Sequence, residues 1–340
     1  MERERIANQI IQQLISGEKS FYYLLYHQDA SIKEFLEIIE EMENKGIIKI
    51  SHDGKIKLVD KNIINNLKIK KINARCKSCE STGYIVSNFY KKILERFERI
   101  CKNRPEAIEK YDQGFIDPEG IVRRVEFIHE RGDIYRDIIV LGDDDLISIA
   151  CSLTRLPKRV VVLEIDERIV NFINSIAKKY KLNLEAHIYD AQRKIPREFE
   201  KSFDVFITDP VETLLGLKLF FSRLVSALRG IGSSGYFGIT PLEASRTKWY
   251  YIEKMLYDMG FVITDIKRQF NVYPDIKGNM FRFEEKFPLF EKIKIKSDFD
   301  WYNSSFFRVE AVKKPKPLIK KDMIINEKIY KDDESLATPI

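Results

Sequence analysis

The sequence predicts an α/β protein, with a Rossmann-like parallel sheet preceded by a small winged-helix-like domain. Three observations carry this reading. From about residue 136 to 312, short runs rich in Ile and Val alternate with amphipathic helical stretches, the pattern of a parallel sheet covered on both faces. The turn Leu141-Gly142-Asp143-Asp144-Asp145 closes the first run, and Glu164 ends the next about twenty residues further on, where nucleoside-binding sheets place a ribose acceptor. The first sixty residues hold three helical stretches and an alternating hairpin.

Composition bounds the rest. With 340 residues and 44% hydrophobic content, the chain can bury more than one core without disulfides. Its 58 Lys and Arg against 52 Asp and Glu leave +6, which permits a nucleic-acid partner without calling for one. No apolar run reaches the roughly 18 residues of a membrane span, and MERERIANQI lacks a signal-peptide core. A cytoplasmic protein with no membrane partner is expected. Abundant Ile, Lys and Glu suit a heat-loving organism or an AT-rich genome.

Within residues 1–75, Ile6, Ile10, Leu14 and Ile15 mark a helix stopped at Ser16-Gly17. Phe21, Leu24 and Leu25 mark a second, and Ser31 caps a third carrying Phe35, Leu36, Ile39 and Met42. Ile47–Ile50 and Lys55–Leu58 alternate about His52-Asp53-Gly54, the wing. The third helix, SIKEFLEIIEEMENK, is acidic where a DNA-reading helix offers Arg, Lys, Asn or Gln, so nucleic acid is not the expected partner.

Residues 76–135 form a connecting segment. Cys76-Lys-Ser-Cys79 has the spacing of half a zinc site, but structural zinc takes four ligands and Cys101 stands alone. The pair reads as two ordinary thiols, with no metal expected. Phe89, Ile93, Phe97 and Ile100 are spaced for one buried helical face, and Asp117-Pro118-Glu119 opens a further helix with Val122, Val125, Phe127 and Ile128 on its apolar side.

In residues 136–312 the expected strands are Asp137–Leu141, Val160–Ile165, Glu185–Tyr189, Asp204–Thr208 and Tyr236–Ile239, with helices Leu146–Leu153, Arg168–Tyr180, Leu214–Leu228 and Ala244–Met259. Phe261–Ile266 and Phe306–Val312 read as a closing antiparallel pair. Residues 313–340, containing KKPKPLIKK and YKDDESLATPI, read as a linker and a flexible acidic tail.

In such a sheet, ligands sit beyond the carboxyl ends of the strands. Those ends carry Asp143, Asp144 and Asp145, then Glu164 and Asp166, then Asp190-Ala191, then Asp209-Pro210-Val211-Glu212. Each acid taken singly could be a helix cap. Eight on one rim of a net-positive protein suggest a cationic ligand. Glu164 suits a ribose, but three aspartates at the first turn would repel a pyrophosphate. An adenosyl sulfonium compound on a class I methyltransferase-like fold answers both demands. The same aspartates disfavour the carboxylate of adenosylmethionine, by several kcal/mol in order of magnitude. Decarboxylated adenosylmethionine ends in an ammonium that they would hold, which makes aminopropyl the transferred group. Asp209 and Glu212 would suit a polyamine, whose attacking nitrogen must first lose a proton to a base.

Four blocks, YDQGFIDPEGIVRRVEFIHERGDI, IIVLGDDDLISIA, LPKRVVVLEIDERIVNFI and FDVFITDPVETLLGLKLF, together resemble the branched-chain polyamine synthases (bis-aminopropyl-spermidine synthases) of thermophilic archaea and bacteria. The resemblance implies two aminopropyl transfers from decarboxylated adenosylmethionine, a co-substrate rather than a cofactor, to the central secondary nitrogen of spermidine. It also implies a homodimer, a winged-helix-like N-terminal domain and an active-site aspartate in the GDDD turn, carried here to Asp144 or Asp145. The key acid of linear spermidine synthases maps to Asp209. On this reading Gly142, Asp143, Glu164, Asp166, Asp190 and Ala191 bind the donor. Asp144, Asp209 and Glu212 face the polyamine, and Tyr111 and Gln113 close over the site. Glu80-Ser81-Thr82 after the cysteine pair, and Asp117 and Gly120, depart from the family pattern. Asp332, Asp333 and Glu334 either fold over the polycation or stay solvated.

Two other readings compete. One is an adenosylmethionine-dependent methyltransferase acting on nucleic acid, disfavoured by the acidic turn and by the missing aromatic after Asp209-Pro210. The other is a DNA-binding regulator that senses a polyamine.

Overall fold

The computed structural model describes residues 2–59, 69–70, 75–79, 81–111, 113–274, 287–293, 297–323, 329–330 and 332–335. Its N-terminal unit contains α1 (Glu2–Leu14), β1 (Lys19–Ser20), α2 (Phe21–Tyr26), α3 (Ile32–Asn44), β2 (Ile48–Ile50) and β3 (Lys55–Leu58), with a small antiparallel sheet in the order β1-β3-β2. Ser31 starts α3 with a reciprocal cap: Glu34 N–H donates to its hydroxyl, and its own N–H donates to Glu34 Oε2 at 3.1 Å. The apolar stripes of α1–α3 do not close on themselves. Phe21, Phe35 and Ile39 share one core with Leu242, Leu289, Ile293 and Trp301 from the other end of the chain.

Two helices follow, α4 (Asn88–Cys101) and α5 (Pro118–Glu130). Asp117 caps α5 through Gly120 N–H at 3.0 Å, with Pro118 at the first helical position where no N–H is needed. The buried face of α4 is Tyr90, Ile93, Phe97 and Ile100; Phe89, expected there, is 49% exposed. Position 90 is also in helical phase with 93, 97 and 100, and its hydroxyl reaches His129 Nδ1 at 2.9 Å.

The large sheet comprises β4 (Asp137–Leu141), β5 (Arg159–Glu164), β6 (Leu184–Ile188), β7 (Val205–Thr208), β8 (Ser234–Ile239), β9 (Phe261–Val272) and β10 (Asn303–Ala311). They lie in the order β6-β5-β4-β7-β8-β10-β9, and β10 runs antiparallel to both its neighbours. The helices between them are α6 (Ile147–Leu153), α7 (Glu167–Tyr180), α8 (Leu214–Ala227), α9 (Arg246–Met259) and the short α10 (Leu289–Lys292). Alternation along β4 sends Ile138 and Val140 into the core under α4–α7, and Ile139 and Leu141 into the core under α8 and α9. The strand order reverses between β4 and β7, which opens the crevice that such sheets use for ligands.

β9 extends six residues beyond the expected Ile266. The polar run Lys267-Arg268-Gln269 hid this continuation, although β10 pairs with it as far as Val272. The tail also differs from expectation. Its described residues lie against the sheet domain: Ile319 N–H donates to Ser222 Oγ at 3.0 Å, and Met323 N–H to Gln192 O at 2.8 Å. Asp332 pairs with the buried Lys248 at 2.8 Å. Glu334 accepts from Ser245 N–H at 2.6 Å and from its hydroxyl at 2.8 Å. The N-terminal unit reaches the same β8–α9 connection, through Ile32 N–H to Leu242 O at 2.8 Å and Asp29 to Arg246 at 2.7 Å.

Candidate active site

A cavity of about 890 Å³ opens at the switch point. Gly142 and Asp144 contribute from β4, Leu163–Ile165 from β5, Tyr189–Gln192 from β6, and Asp209–Val211 from β7. Leu219 and Phe220 of α8 form one wall; Lys110, Tyr111, Gln113, Ile329 and Tyr330 close the others. Gly142 sits at φ +71°, a left-handed conformation that turns the chain directly off β4, and Phe220 is 3.8 Å from where a β-carbon would stand.

Four of the eight rim acids line this cavity: Asp144, Glu164, Asp190 and Asp209. The other four turn away and hold the frame. Asp143, expected to bind donor, accepts from the backbone N–H and hydroxyl of Ser148. Asp145 takes Ile116 N–H at 2.5 Å and Asp166 caps α7. Asp166 also holds Arg168 at 2.6 Å and Gln113 Nε2 at 3.0 Å. Glu212 accepts Thr240 N–H at 2.8 Å. Their sequence signature, an acid at a strand end, is the same for ligand binding and for framing, because both tasks use a carboxylate to accept N–H groups.

The lining acids differ in charge. Glu164 receives Asp143 N–H and Asp166 N–H, each at 2.8 Å, and burial raises its pKa. Asp190 folds into a turn through Gln192 N–H at 2.9 Å. Asp144 accepts Gly114 N–H at 3.0 Å, while Arg104 Nη1 reaches only its backbone carbonyl at 3.4 Å. Burial, then the negative charges of Glu164 and Asp209, push Asp144 up to about 7. Asp209 behaves oppositely. Burial would raise it, but Arg124 holds it below the ordinary carboxylate range.

The loop before α5 is fastened by the same acids. Gly114 is tied to Asp144, Ile116 to Asp145 and Gln113 to Asp166. Tyr111 and Gln113 thus line the cavity, and Gln113 Oε1 also accepts Ile108 N–H at 3.0 Å. Arg124 escaped the sequence reading. It is fully buried on the stripe Ile121, Arg124, Ile128, and a charged residue on a buried stripe is the signal that marks it. Arg223, which donates to Ala191 O at 2.8 Å and Lys321 O at 3.0 Å, was missed too, as were Ile329 and Tyr330. Cys76 is exposed, and among the described residues no group of three His, Cys, Asp or Glu stands close enough to hold a metal ion.

A Rossmann-like sheet with a cavity at its switch point, lined by Glu164 at β5, Asp190 at β6 and Asp144 at β4, fits a nucleoside-dependent transferase. Residues 92–337 match the branched-chain polyamine synthase A C-terminal domain. The chain is 39% identical over 309 residues to the N(4)-bis(aminopropyl)spermidine synthase of Methanocaldococcus jannaschii, covering 89% of this chain and 86% of that one. It is 37% identical over 266 residues to the protein of the same name from Thermococcus kodakarensis, covering 77% and 74%. The crystal structure of the branched-chain polyamine synthase from Thermus thermophilus, in complex with N4-aminopropylspermidine and 5′-methylthioadenosine, matches with TM-score 0.86 at 31% identity, covering 98% of this chain and 93% of that one. The chain belongs to the branched-chain polyamine synthase family.

Proposed function

We propose that this enzyme moves aminopropyl groups from decarboxylated adenosylmethionine to the central nitrogen of spermidine, twice, to give a branched polyamine. The observation that carries this reading is the environment of Asp144, an acid that lines the cavity, takes no ion-pair partner among the described residues and is poised near neutrality. Glu164 accepts from the ribose hydroxyls. Asp190 and Ala191 meet the adenine edge, and Phe220 covers the sugar side.

Asp144 takes the proton from the central ammonium, which frees its lone pair. The nitrogen then attacks the methylene carbon beside the sulfonium. A C–N bond forms, the C–S bond breaks with its electron pair passing to sulfur, and 5′-methylthioadenosine leaves. The first product is a tertiary amine that is again protonated near pH 7, so the second transfer needs the same base. The second product is quaternary and has no proton to lose. Catalysis therefore rests on one carboxylate and on alignment, with no metal or bound cofactor in the scheme.

We read the N-terminal unit as winged-helix-like, the protein as a cytoplasmic homodimer, and nucleic acid as no partner, since α3 carries acids at Glu34, Glu37, Glu40, Glu41 and Glu43. The test is incubation with spermidine and decarboxylated adenosylmethionine, beside a control with adenosylmethionine, with the amines followed by mass spectrometry. Two successive aminopropyl additions from the decarboxylated donor alone support the reading. Methylation from adenosylmethionine instead overturns it. Sedimentation of the purified protein reads the oligomeric state separately.

A further inference from the structure

Asp209 lines the cavity and maps to the working acid of linear synthases, yet both of its carboxylate oxygens are already engaged by the protein. A carboxylate has about four acceptor sites. Oδ1 takes Arg124 Nη2 at 3.0 Å and Gly238 N–H at 2.9 Å. Oδ2 takes Arg124 Nη1. Asp145 stands beside the pair, with its Oδ2 3.9 Å from Arg124 Nη1, and burial raises its pKa well above the ordinary carboxylate range. Arg124 is itself over-determined. Its Nε donates to Asn271 Oδ1 at 2.7 Å and its guanidinium lies 4.6 Å from the Phe306 ring centre. Gly238 is the space that the pair needs: a β-carbon there would stand 2.2 Å from Asp209 Oδ1 and 2.9 Å from Arg124 Nη2.

We propose that Arg124 is a positioning residue of the transfer reaction: it engages both oxygens of Asp209, fixes that acid in place as a negative charge, and leaves Asp144 to meet the acceptor nitrogen. This rests on the aminopropyl-transfer reading and adds a division of labour to it. The groups facing Asp144 are Glu164 from β5, Asp209 from β7, Asp143 and Asp145 from its own turn, Arg104 after α4, and Lys110 and Tyr111 from the loop. Asp209 strengthens Asp144 as a base through its field, and Arg124 is what keeps that field in place.

The test compares wild type with Arg124→Met/Asp209→Leu, Arg124→Lys and Gly238→Ala. An apolar pair in place of a buried ion pair is commonly neutral or stabilising, so the double variant should keep its Tm. Affinity for 5′-methylthioadenosine should stay within about threefold, since Glu164 and Asp190 are untouched. kcat should fall about tenfold or more as the base weakens, and the acidic limb of the pH profile should move to lower pH. Arg124→Lys should restore the position of that limb. Gly238→Ala, which keeps both charges but displaces them, should lower kcat with donor affinity retained. A double variant with wild-type kcat and an unmoved limb would overturn the proposal, as would wild-type kcat in Gly238→Ala. Carboxyl NMR of 13C-aspartate protein, assigned with Asp144→Asn, reads the Asp144 midpoint without substrate. That readout tests Arg124 even if wild type transferred no aminopropyl group, an outcome that would instead sink the functional reading.

Discussion

The two strand ends that flank the switch point carry the same side chain in opposite conditions. At β7, Asp209 is clamped by a buried guanidinium and held ionised. At β4, Asp144 faces the cavity with one backbone N–H on it and a pKa near 7. The difference teaches that a cation's position, rather than the number of acids, decides which carboxylate can exchange a proton. An acid already satisfied by arginine contributes stability, whereas an acid left in want of a partner can do chemistry.

The largest effect that would break this contrast is Asp144→Asn. It removes the proposed base and should lower kcat by about 10²–10⁴, with 5′-methylthioadenosine affinity nearly unchanged by calorimetry. Asp209→Asn should act chiefly on the fold. It leaves Arg124 buried and uncompensated, a loss of about 3–5 kcal/mol read by urea denaturation.

Stability against pH should separate the two acids in sign. Asp209 is depressed in the fold, so its contribution is present above its unfolded pKa and is lost as pH falls through the folded one. Asp144 is raised to about 7, so the unfolded chain gives up that proton first and the fold is penalised as pH climbs from about 4 to 7. Asp144→Asn should therefore raise Tm at pH 7 while Asp209→Asn lowers it; a shared sign would refute the contrast. In turnover, kcat should rise roughly tenfold per pH unit below 7 and flatten above, and the variant at Asp144 should lose that break. The smallest change is expected from Lys248→Met, which unpairs Asp332 and should lower Tm by about 1–3 °C while making the chain beyond Lys321 easier for a protease to cut.

Much of this was legible in the residues. Runs rich in Val and Ile located β4, β5 and β7 to within two residues, because a strand buried on both faces is built mainly from such residues. The acids of the rim were visible as well. Their division was not, since it is made by groups far away in sequence: Arg124 lies 85 residues before Asp209, and Gly238 lies 29 after it. Charged surface and charged frame look alike until the partner is placed. For the same reason the tail read as mobile; its Asp332 and Glu334 resemble solvated acids until Lys248 and Ser245 are brought to them.

The N-terminal unit and the tail both fasten within one short stretch, Leu242 to Lys248, the first through Asp29 and Ile32, the second through Asp332 and Glu334. In topological terms the β8–α9 connection is a clasp that holds two segments about three hundred residues apart. Local opening of either segment therefore works against contacts that both share. Trimming either end should thus loosen the other, and a hydrogen-exchange map should show the two termini opening together.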